Sequence, residues 1–292
     1  METVNIVNYY LLLIIYCLHP MESHQFITKL WEQYTAVTPS AQLIYDLLIA
    51  SGESAVRHDH IAFRTFNNEK ICIGKLATGL LDIGYAEKST YDFPENKLLA
   101  KHFEHLTDKS LPKIFISELK LEECSIQMQQ FIKAIVHKIP ANTDPLQLLF
   151  SGRLWGMPRY SVYGQLKEES EYAAWLYIYG FCVNHFAVYV NYLSNFIGLG
   201  EVNEFLRDNG FKLNKPGAEM KENAKKHLQQ SGILADKIDV QFEEGVFKVS
   251  GGSYEFVQRF VQPGGELFQG FSILPADKIF KNDTKKILIE TQ

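Results

Sequence analysis

Two short segments of this chain carry a histidine followed two residues later by an alanine and four residues later by a large polar-capable side chain. They are Asp59-His60-Ile61-Ala62-Phe63-Arg64 and Asn184-His185-Phe186-Ala187-Val188-Tyr189. On a strand, alternate residues share a face, so His60, Ala62 and Arg64 point one way, as do His185, Ala187 and Tyr189. In both segments the small alanine leaves room in front of the sheet. A histidine among Val183, Phe186 and Val188 is well buried, and each ring nitrogen then needs a partner, which a metal can supply. A third candidate is Glu255 in Ser253-Tyr254-Glu255-Phe256-Val257. A carboxylate in so apolar a strand faces water on an edge or is held by a cation in a cavity. Two imidazoles and one carboxylate from separate strands form a facial triad. On non-haem Fe(II) that triad leaves open positions for a chelating substrate and dioxygen. Arg64 adds a planar fork suited to gripping a carboxylate with both oxygens.

Rival arrangements are weaker. His102-Phe103-Glu104-His105 puts histidines at i and i+3, one face of the expected helix, but Lys97, Lys101 and Lys109 mark that helix as solvated. There is no H-E-x-x-H and no G-x-S-x-G elbow, so zinc protease and serine hydrolase chemistry lack their signatures. No glycine-rich phosphate loop follows a strand. The four cysteines, Cys17, Cys72, Cys124 and Cys182, form no C-x-x-C pair. This spacing argues against a disulfide framework or structural zinc and for a reducing cytoplasm. Lys and Arg number 29 against 34 for Asp and Glu, a formal charge of -5. With no basic cluster beyond Lys285-Lys286, nucleic acid is not an expected partner.

The elements that position these residues follow from periodicity. Met21 to Ala50 reads as two helices broken at Thr38-Pro39-Ser40. Arg57 to Phe66 reads as a strand, Glu69 to Leu80 as a helix, Ile83 to Phe93 as strand and loop, and Asn96 to Leu106 as a helix. Ile114-Phe115-Ile116 is a strand and Glu123 to Ile139 an amphipathic helix closed by Pro140. Ala141 to Tyr163 is rich in Gly and Pro and divides the chain. Tyr172 to Ile178 is mixed. Phe181 to Tyr192 carries the strongest strand signal. Ile197 to Asn209 is a helix stopped by Gly210. Asp239 to Phe247 and Ser253 to Val261 are strands around Gly251-Gly252. The order predicts an α+β fold. Tyr9 to Leu18 is apolar but about half the length of a membrane span, so stable membrane insertion is not expected. Residues 1–20 read as an upstream extension, with Met21 as the initiator.

At the quoted residues the chain resembles the 2-oxoadipate dioxygenase/decarboxylases. The likeness runs through Asp59 to Thr65, Ile114 to Leu119, Val183-Asn184-His185, Tyr254-Glu255-Phe256 and Gly270-Phe271 to Phe280, covering about Met21 to Asn282. The resemblance implies a mixed β-sheet core of vicinal-oxygen-chelate type, built from two related modules near 21–140 and 164–282 and surrounded by helices, with a tail at 283–292. It implies Fe(2+) held by His60, His185 and Glu255, with Arg64 on the substrate carboxylate and a backbone contact near Leu274. His60, Arg64, His185 and Leu274 would then bind substrate. The implied reaction converts 2-oxoadipate and O2 to 2-hydroxyglutarate and CO2, a late step of lysine breakdown. Against the best-described members the chain is much shorter, lacking most of a long insertion expected between the last metal ligand and the C-terminus, which bears on substrate identity. A lyase or isomerase of the same fold using another divalent metal, or a metal-free binding module, are the alternatives.

Overall fold

Pro39 ends one helix and starts the next. Helix α1 (Ser23–Val37) buries Phe26, Leu30 and Tyr34, and α2 (Pro39–Ala50) buries Ala41, Ile44 and Leu48. These three-to-four spacings form two apolar stripes that lie on one face of a sheet. The computed structural model describes residues 21–214 and 227–271. The expected initiator at Met21, the upstream extension and Leu274 therefore fall at the edge of, or outside, the described residues.

Seven strands form the main sheet: β1 (His58–Phe66), β2 (Tyr85–Phe93), β3 (Leu98–His105), β4 (Lys113–Leu119), β5 (His185–Tyr189), β6 (Leu228–Gly232) and β9 (Ser253–Arg259). Their order is β2-β3-β4-β1-β5-β9-β6. Strands β1 and β5 pair antiparallel at the centre. Outside them, β1 pairs parallel with β4, and β5 pairs parallel with β9. In each half the first strand is followed by a helix, α3 (Ile73–Asp82) after β1 and α8 (Leu199–Asp208) after β5. Each half then returns a later strand beside its first. This is the mixed α+β architecture of two related halves expected above. A separate hairpin, β7 (Lys237–Phe242) and β8 (Gly245–Ser250), precedes β9. Helices α4 (Ile126–His137), α5 (Pro145–Leu148), α6 (Tyr160–Glu169) and α7 (Glu171–Tyr179) connect the halves.

Alternation sorts the central strands into two faces. Ile61, Phe63, Phe186, Val188, Tyr254 and Phe256 join the main core. Trp31 and Tyr34 of α1 pack on Phe186 and Tyr254, with ring centroids 5.0 to 6.4 Å apart. Burying each such aromatic is worth about 1.5–3 kcal/mol. The apolar face fixes the opposite one, because a slip by one residue would turn every side chain over.

Several expectations need correction. Asn96 to Leu106 is not a helix but strand β3, after Lys97 turns in the left-handed region at φ 57°. Leu, Ala and Lys favour helix, but hydrogen bonding to β2 on one side and β4 on the other overrides that preference. His102 and His105 therefore point to opposite faces and share no metal-binding surface. Strand β5 covers only His185–Tyr189 of the longer expected run. Asp239 to Phe247 is a hairpin rather than one strand, turning at Glu243-Glu244, with Gly245 opening β8 at φ 138°. Tyr172 to Ile178 lies in a helix, α7.

Candidate metal centre

The central register makes a checkerboard. His60 pairs with Ala187 and Ala62 pairs with His185, so each histidine faces the other strand's alanine. Ala187 in turn neighbours Glu255, and His185 neighbours Ser253. Residues paired across strands project to the same side. His60, His185 and Glu255 consequently meet on one face, with one donor atom from each lying within 4.8 Å of the others. Among the described residues this group alone has metal-binding geometry. His60 and Glu255 are each 2% exposed. Gly232, beside Glu255 on β6, keeps that flank open: a Cβ there would sit 3.3 Å from Glu255 Cγ.

The neighbours of each histidine aim it. His60 Nδ1 lies 2.8 Å from Asp59 Oδ1. His185 Nδ1 lies 3.1 Å from Asn184 Oδ1 and 3.6 Å from Glu255 Oε1. With acceptors at both Nδ1 atoms, the hydrogen-bond network assigns the proton of each neutral ring to Nδ1. The two unprotonated Nε2 atoms then face one another at 3.2 Å. Two lone pairs at that distance repel unless a cation lies between them. Two donors about 2.1 Å from one ion and at right angles are about 3.0 Å apart, close to the separation seen.

Electrostatics agrees with this donor chemistry. Burial lowers the pKa of His60 against the pull of Asp59, and burial, with the charges of His60 and Arg64, lowers that of His185 further. Both rings are neutral, as ligands must be. Burial pushes Glu255 up to about 7, with Ser253 and Arg64 only partly offsetting it. Ser253 Oγ donates to Glu255 Oε1 at 3.4 Å. A buried carboxylate so thinly supported is one that a cation would stabilise. Residues and group therefore fit.

Arg64 lies on the same face, 7% exposed. Its guanidinium stacks over Tyr172 at 4.8 Å and Trp175 at 5.2 Å. Tyr172 is itself pinned, its hydroxyl bonded to Thr65 and Ser117. Arg64 also lines a cleft of about 110 Å³ with Asn184, Ser253, Trp175, Lys167 and Lys237. The cleft thus reaches the residues that flank His185 and Glu255. Sequence reasoning missed this aromatic seat on α7. It also missed the pair Asp59–Arg259, joined at 2.5 and 2.8 Å. Burial opposes ionisation of Asp59, but bonds from Arg259 and His60 win and hold its carboxyl well below the usual range. A signal existed: Arg259 follows Glu255 by four residues on one strand face, as Arg64 follows His60.

Residues 142–269 match the family model described as 2-oxoadipate dioxygenase/decarboxylase. A rice protein named 2-oxoadipate dioxygenase/decarboxylase, chloroplastic/amyloplastic, is 34% identical over 280 residues, covering 88% of this chain and 77% of that protein. The chain belongs to the 2-oxoadipate dioxygenase/decarboxylase family. Within that family, the crystal structure of hydroxyglutarate synthase from Oryza sativa in complex with 2-oxoadipate superposes with a TM-score of 0.79 and 32% identity. The match covers 87% of this chain and 89% of that one. A Shewanella frigidimarina protein described as a hydrolase gives 0.80 at 38% identity, covering 87% and 99%. At 19% identity and a TM-score of 0.63, with 85% and 84% covered, a glyoxalase-superfamily protein from Ralstonia eutropha shares the fold. The vicinal-oxygen-chelate architecture is thereby established. Among the described residues no helix is long and apolar enough to cross a membrane.

Proposed function

We propose that this protein is an Fe(II)-dependent dioxygenase that decarboxylates 2-oxoadipate with O2, giving 2-hydroxyglutarate and CO2. The observation that carries the reading is the convergence of two imidazole nitrogens and a buried carboxylate on the face that also bears Arg64. His60, His185 and Glu255 hold the metal. Bound Fe(II) supplies a chelation point for the 2-oxo acid and the redox capacity to use dioxygen. The reaction balances: the original carboxylate leaves as CO2, one oxygen atom of O2 enters the new carboxylate at the former keto carbon, and the other becomes the new hydroxyl.

The chain's own residues do the rest. Asp59 and Asn184 fix the ring orientations, so both Nε2 atoms stay aimed at one point. Arg64 binds a carboxylate of the acid through its fork, held flat by Tyr172 and Trp175. Phe271, with its ring 4.9 Å from that of His60, helps keep water from the pocket. The acid-holding role suits a six-carbon dicarboxylate, in agreement with the 2-oxoadipate bound by the rice relative. Cys72, Cys124 and Cys182 are free thiols, which fits a reducing compartment such as the cytoplasm.

The test is oxygen uptake by the Fe(II)-loaded protein supplied with 2-oxoadipate. The expected result is one 2-hydroxyglutarate and one CO2 formed per O2 consumed. Absence of uptake with 2-oxoadipate and with its shorter and longer homologues would overturn the proposal. Oxygen-independent conversion of a substrate would move the protein to lyase or isomerase chemistry.

A further inference from the structure

Arg259 is 1% exposed, yet its side chain serves two masters. Nε and Nη2 donate to the carboxylate of Asp59 at 2.5 and 2.8 Å. Nη1 donates to the carbonyls of Phe268 at 3.0 Å and Gly270 at 2.8 Å. Its backbone is clamped as well: the amide donates to Asn191 Oδ1, and Asn191 Nδ2 donates to its carbonyl, each at 2.8 Å. Asp59 accepts in turn from His60 Nδ1. One guanidinium thus lies between the segment 260–271 and the imidazole of His60.

That segment is a strap across the site face. It leaves β9 and doubles back through a Val261–Leu267 bridge and a bond from Phe268 N to Phe260 O. Lys113 Nζ ties it to β4 through Gln269 Oε1 at 2.8 Å. Phe268 packs on Ala187, Leu228 and Val257. Phe271 follows, its ring 4.8 Å from Phe115 and 5.2 Å from His102, and its amide donates to Tyr91 Oη at 3.3 Å. Phe271 of the strap packs edge-on against His60, and Arg259 reaches His60 through Asp59.

We propose that Arg259 is a positioning residue that couples docking of the 260–271 strap to the aim of His60, so that covering the centre and binding the metal reinforce each other. This rests on the metal reading above. The planar fork is what makes the double task possible, since it directs parallel donors at a carboxylate and further donors sideways at two carbonyls. A lysine ammonium, a single point, cannot satisfy both partners. Coupling between two binding events is reciprocal: if a docked strap tightens metal binding, bound metal must stabilise the docked strap by the same factor.

The test uses the full chain, titrated anaerobically with Fe(II) and, in parallel, with Mn(II). Amide hydrogen exchange of 260–271 is followed with and without metal. In the wild type, metal should slow exchange in the strap. In Arg259→Lys, metal affinity should fall about 10- to 100-fold, the usual cost of losing an outer partner of a ligand, and metal should no longer slow strap exchange. If Arg259→Lys does not fold, Asp59→Asn serves: it keeps the shape and leaves both strap carbonyl bonds in place, and it too should weaken metal binding and break the coupling. A purely structural role would lower stability without moving either readout. Metal binding by a folded variant within about threefold of wild type would overturn the proposal. So would strap exchange indifferent to metal in a wild type that binds it. A wild type that binds no divalent metal would defeat the metal reading itself, and this inference with it.

Discussion

The two halves of the sheet present the same device with different support. In the first half, His60 is backed by a charged residue, Asp59, which is locked to buried Arg259. In the second, His185 is backed by neutral Asn184. The fourth residue after the histidine also differs, Arg64 in one half and Tyr189 in the other. Arg64 sits over two aromatic rings beside the cleft, whereas Tyr189 packs edge-on against Tyr192 at 4.9 Å. A repeated scaffold thus supplies a symmetric pair of imidazoles, and the asymmetry lies in what surrounds them. The first half carries Arg64 beside the cleft and the charged partner Asp59. The second adds the carboxylate, Glu255.

If both halves must contribute to one centre, breaking either should abolish it. His60→Ala in the first half and His185→Ala in the second are each expected to lose stoichiometric metal and turnover together, checked by metal analysis and oxygen uptake on the same samples. Retention of a full metal equivalent with normal turnover would separate the halves.

The next largest effect should fall on one half only. Arg64→Met should keep its metal but lose about 2–4 kcal/mol of 2-oxo acid binding, roughly 30- to 1000-fold, read as a rise in KM or in the Kd of the acid. Tyr189→Phe, at the equivalent position, should leave acid binding unchanged.

The supports should differ in a smaller way. Asn184→Ala should weaken metal affinity by about tenfold, at the low end of outer-partner effects, because it removes a neutral acceptor while Glu255 remains close to the same nitrogen. Isothermal titration measures this beside the Asp59 variant.

The smallest effect concerns the seam between the halves. Glu53, in the turn after α2, is 4% exposed and accepts from the amides of Ser194 at 2.9 Å and Asn195 at 2.7 Å, just beyond β5. Burial opposes its ionisation, but these bonds and the Ser194 hydroxyl prevail and lower its pKa. A carboxylate with a lowered folded pKa adds stability above its unfolded pKa, and that stability is lost as pH falls through the folded value. Glu53→Gln should cost about 1–2 kcal/mol at neutral pH and flatten the acid limb of the stability curve, with metal affinity intact.

Much of this comparison was legible in the sequence because a strand period of two is a strong constraint. His60 with Arg64, and His185 with Ala187, could be assigned common faces from spacing alone. The echo between the two segments is now explained by the central antiparallel pairing, which sets each histidine against the other's alanine. What could not be read was long-range. Nothing local joins Asp59 to Arg259, 200 residues apart. The run Leu98–His105 has the composition of a helix, and only its two sheet neighbours make it a strand. The seat for Arg64 went unseen because Tyr172 and Trp175 lie on a helix buried on nearly all sides, whose apolar pattern has no single stripe.

The convergence of the two halves on one ion is tested most directly by anomalous diffraction at the iron edge, from crystals grown anaerobically with Fe(II). The account predicts a single strong peak about 2 Å from His60 Nε2, from His185 Nε2 and from a carboxylate oxygen of Glu255. A peak elsewhere, or no peak among these three residues in iron-saturated crystals, would contradict it.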